Sequence, residues 1–232
     1  MKGKRLISVC AFAVLVAIGV ATYALWPREP VYQGKKLSEW LEEADIGVWP
    51  RPTVVPADEA IRQIGTNALP MIAQLLRARD SALKRKLLRV SYKVSFIGFH
   101  ITAQNERHSR AITGCWALGP AAKPLVPELA TALSYMDPYF RPAAEQWLGT
   151  LGADADAAVP ALIAILRDRT NPTREIVPQT LGKISWRRRE EVIPVLKECL
   201  KDTNQMVRFW AENALNMLNA GDMGAPPKVD TR

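Results

Sequence analysis

The chain has 232 residues, 48% of them hydrophobic, and a formal net charge of +8. That is ample for a sizeable core in one or two domains, while three cysteines and two histidines leave little from which to build a disulfide framework or a metal site. A basic excess of this size directs attention to anionic partners, and its position along the chain decides which.

The amino terminus is the first element. Lys2, Lys4 and Arg5 precede an uncharged run from Leu6 to Trp26, 21 residues long. At about 1.5 Å per residue, a helix of that length spans the ~30 Å hydrocarbon core of a bilayer. Tyr23 and Trp26 stand where interfacial aromatics belong, and Arg28 and Glu29 end the run. Residues 1–26 therefore read as a single-pass signal anchor with a cytoplasmic amino terminus. Gly19-Val20-Ala21 keeps a cleaved secretory signal open, although the run exceeds the roughly 7–15-residue core of such signals. Either reading puts the remainder outside the cytoplasmic membrane, anchored in one case and secreted in the other. Ile7-Ser8-Val9 before Cys10 is not the small-residue context of a lipoprotein signal.

Residues 27–56 come next. Leu37-Ser38-Glu39-Trp40-Leu41-Glu42-Glu43 predicts a short helix with Ser38 as N-cap and an apolar side of Leu37, Trp40 and Leu41. Trp49-Pro50-Arg51-Pro52 through Pro56 then predicts an extended linker. The short helix is expected to cap the domain that follows.

From residue 57 to 219 one phrase recurs four times: apolar, Pro, any, apolar, three more, apolar. It reads Leu69-Pro70-Met71-Ile72 to Leu76, Val126-Pro127-Glu128-Leu129 to Leu133, Val159-Pro160-Ala161-Leu162 to Leu166, and Ile193-Pro194-Val195-Leu196 to Leu200. Apolar residues at these offsets share one helix face, and proline fits only a first turn, so each phrase opens a helix. The last three prolines are 33 and 34 residues apart, as are Arg141, Arg174 and Arg208 upstream of the next phrase in each case. Each unit is thus a pair of helices, the first ending in a glycine expected to take a left-handed cap: Gly65, Gly119, Gly152, and Ser185 in the fourth unit. Only five positions separate Gly65 from Pro70, against eight in the next two units, which predicts a tighter first turn. Pro178 is expected to bend the first helix of the fourth unit. A fifth unit stops after one helix, with Phe209 and Trp210, which reads as a cap, and residues 220–232 lack periodicity and predict disorder.

One interruption breaks the period. Pro70 to Pro127 is 57 residues, some 24 more than a repeat, and the excess lies at 81–102. Its start predicts an amphipathic helix with Leu83, Leu87, Val90 and Val94 on one side, followed by the apolar Phe96-Ile97-Gly98-Phe99-His100-Ile101. Arg77, Arg79, Lys84, Arg85, Lys86, Arg89 and Lys93 face the single acid Asp80 there, a local net of +6. This basic patch could hold an anionic lipid surface or another polyanion, at about 1 kcal/mol per cation near a membrane. A solvated helix face is its plain alternative. Nucleic acid is disfavoured, because the segment is exported and lacks interleaved stacking aromatics.

Leu118-Gly119 with Val126-Pro127-Glu128-Leu129, and Leu151-Gly152 with Val159-Pro160-Ala161-Leu162, resemble HEAT repeats. The nearest likeness is to the short bacterial HEAT-like repeats also found in phycobiliprotein lyases. Asp137 to Arg141 and Asp202 to Arg208 complete the pattern. The Tyr32-to-Leu41 segment is similar to one preceding HEAT repeats in uncharacterised, membrane-anchored bacterial proteins. The resemblance implies an all-α fold, a right-handed α-solenoid of four to five hairpins, in which the aspartate caps a turn and the arginine stacks along the array. It transfers no catalytic residue. It also implies that second helices line a concave face, which makes their non-core positions the expected partner surface: Gln74, Arg77, Glu128, Thr131, Tyr135, Ala164, Arg167, Lys197 and Lys201. Arg77, Tyr135 and Arg167 have the side chains that most often anchor interfaces.

Catalytic signals are sparse. No His-Glu pair, Cys-x-x-Cys, phosphate-cradling glycine loop or nucleophile elbow is present. Cys115 and Cys199 lie on different units and read as buried small hydrophobes, and His100 and His108 as structural histidines. The expectation is a membrane-tethered, non-catalytic interaction module or scaffold with a protein partner and no cofactor. A membrane-surface or polyanion binder and an enzyme or cofactor-attachment factor are the alternatives.

Overall fold

The computed structural model describes residues 29–45, 55–84, 86–87 and 103–220. The expected anchor, the proline-rich linker, most of the insert and the tail lie outside the described residues. From Val31 onward the chain forms one compact unit.

It begins with a hairpin absent from the sequence reading. β1 (Val31–Tyr32) pairs antiparallel with β2 (Lys35–Lys36), and Gln33 and Gly34 between them have φ of +50° and +79°. Two consecutive positive φ values define a type I′ turn, which suits the twist of a two-residue hairpin. α1 (Leu37–Ala44) follows directly. Its N-cap is Lys36, with no side-chain cap bond, so Ser38 lies inside the first turn rather than at the cap. Leu37, Trp40, Leu41 and Ala44 are buried, and Trp40 Nε1 donates to the Tyr32 carbonyl at 3.1 Å, fixing the hairpin to the helix.

The hairpins of the repeat then run in order. They are α2 (Pro56–Ile64) with α3 (Leu69–Leu76), α4 (Gln104–Leu118) with α5 (Val126–Leu133), α6 (Arg141–Leu151) with α7 (Val159–Arg167), and α8 (Val177–Ile184) with α9 (Arg189–Cys199). α10 (Gln205–Ala220) ends the series. Every phrase proline occupies the first turn of its helix except Pro194, because α9 begins a turn and a half earlier at Arg189, with Glu190 and Glu191 in its first turn. First helices pack on first helices (α4 on α6, α6 on α8, α8 on α10), and second on second (α3 on α5, α5 on α7, α7 on α9). α1 packs on α2 and α4, at the position expected of a cap. On α10, Val207, Ala211, Ala214, Leu215 and Leu218 are buried while Gln205, Glu212, Asn216 and Asn219 are exposed, a polar outer face suited to ending a stack.

The turns differ from the expectation in one respect. Gly65, Gly119 and Gly152 have φ of +62°, +55° and +57°, but their ψ values, −139°, −129° and −136°, place them in the mirror image of the β region. That region is open to glycine alone. Each leads into a 3₁₀ turn, four residues long after Gly65 and seven after Gly119 and Gly152, so the first turn is the tighter one. Ser185 has φ −92° and turns without a left-handed residue. Pro178 also departs from expectation. α8 starts at Val177, with 172–176 in turns, so the proline opens the helix and bends nothing.

The stretch Arg141–Arg167, 27 residues of mean hydropathy 1.4, is long and apolar enough to cross a membrane. It folds instead as the α6–α7 hairpin, doubling back at Gly152, and Trp147, Leu148, Leu162 and Leu166 go to the core. Close packing elsewhere depends on small residues. A Cβ at Gly182 on α8 would lie 2.9 Å from both Cα and Cβ of Ala214 on α10. Gly182→Ala is expected to push the two helices apart and lower stability by about 1–3 kcal/mol, read as a lower urea midpoint. An unchanged midpoint would show that the backbone yields freely there.

Candidate partner face and the clasp beneath it

The repeat register explains how consecutive units are joined. His108, Arg141, Arg174 and Arg208 each stand ten residues before the last apolar residue of their helix or unit: Leu118, Leu151, Ile184 and Leu218. Each reaches back to a carbonyl at the end of the preceding second helix. His108 Nε2 lies 3.1 Å from the Ala78 oxygen, Arg141 Nη2 2.9 Å from Met136, Arg174 Nε 3.1 Å from Leu166, and Arg208 Nη1 2.7 Å from Asp202. These are carbonyls that a helix end leaves without an intrahelical partner. Arg141 also reaches forward, to Asn171 Oδ1 (2.6 Å) and Thr173 Oγ1 (2.8 Å). Arg174 forks onto both oxygens of Asp202, at 3.0 and 2.5 Å. Asp137, Asp168 and Asp202 each accept the backbone N–H two residues on, the capped turn that the resemblance implied.

His108 is fully buried, and that burial holds its imidazole below the ordinary pKa. It belongs to the clasp. Cys115 and Cys199 are free and buried, and desolvation pushes their thiols up to about 12 and about 11, far from a reactive thiolate. One acid escaped the sequence reading. Glu145 on α6 is 0% exposed, its carboxyl oxygens have no hydrogen-bond partner among the described residues, and desolvation raises it to about 8 despite the Arg141 charge. Its only sequence signal is an acid one turn after Arg141 on an apolar helix face. It is enclosed by the stack, with no path for a substrate.

Upon this frame the second helices present their outer positions. Gln74, Thr131, Ala164, Arg167, Lys197 and Lys201 are exposed, and Glu128 and Tyr135 half-buried. Arg77 Nη2 pairs with Glu128 Oε1 at 2.5 Å, joining α3 to α5. Tyr135 is drawn inward: its hydroxyl donates to the Leu76 carbonyl at 3.0 Å, and the Arg79 guanidinium lies 3.8 Å above its ring. Thr131 Oγ1 donates to the Pro127 carbonyl. Arg167, Lys197 and Lys201 enter no ion pair among the described residues.

The base of the insert is closed by a polar staple. The Asp80 N–H donates to Gln104 Oε1 at 2.9 Å, the Gln104 N–H returns to Asp80 Oδ2 at 2.8 Å, and Gln104 Nε2 donates to the Tyr135 carbonyl at 3.1 Å. Arg107 pairs with Asp80, and Lys84 Nζ sits 3.1 Å from the same carboxylate, which these cations and the Gln104 N–H hold below its usual range against the opposing effect of burial. The only acid of the basic stretch is therefore consumed at its root. Lys86 is exposed, as are Leu83 (68%) and Leu87 (49%), while Arg85, Arg89 and Lys93 lie outside the described residues. A shallow recess of about 230 Å³, lined by Asp80, Gln104, Asn105, Tyr135 and Asp137, opens beside the staple. It is smaller than the ~300–1,000 Å³ of most small-molecule sites. No cluster of three or more His, Cys, Asp or Glu suited to a metal occurs among the described residues.

Residues 110–216 match the family model for HEAT repeats, which supports a HEAT-repeat assignment for the part of the chain from α4 into α10. No curated protein and no solved structure matches the chain. Arrays of this class commonly bind protein partners.

Proposed function

We propose that the chain is a non-catalytic interaction module, an α-solenoid held at the outer side of the cytoplasmic membrane by residues 1–26, whose second helices receive a protein partner. The observation that carries this reading is the division of labour in each hairpin. The conserved spacing within the chain commits the clasp, the turns and the apolar faces to stacking, and leaves Gln74, Thr131, Ala164, Arg167, Lys197 and Lys201 on one set of neighbouring helices exposed. Such a surface can take a partner with no rearrangement of the core. A protrusion tests it. Thr131→Trp and Ala164→Trp are expected to lower recovery of the partner by chemical crosslinking in native membranes by more than about tenfold, whereas Gln146→Trp on a first helix leaves recovery unchanged. Equal recovery from all three removes the reading. Protease treatment of intact spheroplasts should degrade the repeat domain; its protection there would reverse the proposed topology.

A second reading is favoured by Leu83 and Leu87, which the array leaves exposed beside Lys86. An outward apolar pair flanked by cations suits the interface of an anionic bilayer. The full chain would then pull down anionic but not neutral vesicles through a contact that Lys84→Glu with Lys86→Glu weakens.

A further inference from the structure

Resting on the second-helix docking face, we propose that the C-terminal ends of α7 and α9 receive an acidic polypeptide segment of the partner, with Arg167 and Lys201 binding its carboxylates.

The argument begins with the register. Seven residues after the phrase proline, the four units carry Arg77, Ser134, Arg167 and Lys201. One residue after that proline they carry Met71, Glu128, Ala161 and Val195. Between α3 and α5 the two positions make a pair, Arg77 with Glu128. Between α7 and α9 the same geometry sets Arg167 against Val195, and no acid is available to it. The array's own pairing scheme is completed at one end and left open at the other. Cations at helix C-termini complement the macrodipole, which accounts for their sign. That effect supplies no counter-ion, so the carboxylate is left for another molecule to bring.

The surroundings narrow the class of partner. Arg169 and Lys197 are also exposed and lack an ion pair among the described residues. Asp168 and Glu198 stand between these cations, and the Asp168 carboxylate is engaged by the N–H and hydroxyl of Thr170. A uniformly anionic bilayer would meet those two acids as repulsion. Discrete side-chain carboxylates can reach the guanidinium and ammonium groups between them. Leu200, 42% exposed beside Lys201, adds an apolar contact that a polypeptide can use. Neighbouring helices stand about 8–10 Å apart. An extended chain rising about 3.3 Å per residue therefore brings acids two to four positions apart to both Arg167 and Lys201.

The test uses the full chain in detergent and a fluorescent peptide alternating glutamate with alanine, against a glutamine counterpart. The glutamate peptide should bind saturably and more weakly as salt is raised. Arg167→Glu with Lys201→Glu should weaken it by about tenfold or more, and Lys84→Glu with Lys86→Glu by less than about twofold. Equal binding of the two peptides, no saturation by about 1 mM at low salt, or equal losses in both double variants would overturn the proposal. Capture of anionic vesicles through Arg167 and Lys201 without peptide binding would overturn it in favour of a lipid ligand. If Ala164→Trp blocks partner recovery in membranes while the charge reversal does not, docking on the second helices stands and the acidic segment falls.

Discussion

Arg174→Ala is expected to cost about 3–5 kcal/mol, a large share of the roughly 5–15 kcal/mol that holds a domain folded. The guanidinium and the Asp202 carboxylate are almost entirely enclosed, with side-chain exposures of 8% and 5%. Truncation leaves Asp202 ionised and buried without its fork, and leaves the Leu166 carbonyl without its Arg174 bond. Breaking one half of a buried pair costs more than the pair contributes, because the remaining charge has lost both water and partner. Asp202→Asn in the Arg174→Ala background should restore part of the loss, since the amide is neutral and its oxygen can still accept the Asn204 N–H. Urea denaturation of the single and double variants measures this; a single variant within 1 kcal/mol of the parent, on the order of a surface pair, would mean that the joint between these units is held by packing alone. The effect has a pH signature. Asp202 is lowered from 3.8 to about 2, chiefly by the Arg174 hydrogen bonds. A carboxylate with a depressed folded pKa contributes stability that is present above 3.8 and lost as pH falls through about 2, so parent and variant should converge at the acid end.

Glu145→Gln is expected to do the opposite on the alkaline side. Burial raises this carboxyl from 4.5 to about 8, so between those values the folded chain holds a proton that the unfolded chain releases. Stability contributed by the neutral form is complete below 4.5 and declines as pH rises towards 8, with a limiting slope of about 1.4 kcal/mol per pH unit. The glutamine side chain has nearly the same shape and does not titrate. The variant should match the parent near the acid end of that window and exceed it by a few kcal/mol at about pH 8. Parallel pH profiles would show that water reaches the carboxylate in the folded state.

The hairpins were legible because proline and the apolar offsets are local: a first-turn proline with partners three and seven residues on fixes a helix and its inner face wherever it occurs. Arg141, Arg174 and Arg208 could be read as a repeated structural position for the same reason. His108 could not, because its equivalence to them lies in the carbonyl it contacts, Ala78, thirty residues away, and its side chain is of another type. Glu145 was hidden by chemistry that makes an acid on a helix look solvated until its neighbours are known. The β1–β2 turn turned on two residues with positive φ, of which only Gly34 announces itself. On the candidate face, exposure followed from helix phase, but the Arg77–Glu128 pair and the inward turn of Tyr135 required contacts between residues 51 and 59 positions apart. Those contacts decide which cations remain available, and they shift attention from Tyr135 towards Arg167 and Lys201.

Site-specific photocrosslinking in native membranes tests the proposed docking face most directly. A photoreactive residue would be placed in turn at Gln74, Thr131, Arg167 and Lys201 on second helices, and at Gln146 and Asn216 on first helices. The account predicts one common adduct from the second-helix positions, strongest at Arg167 and Lys201, and none from Gln146 or Asn216. Adducts confined to the first-helix positions, or the same adducts from both sets, would contradict it.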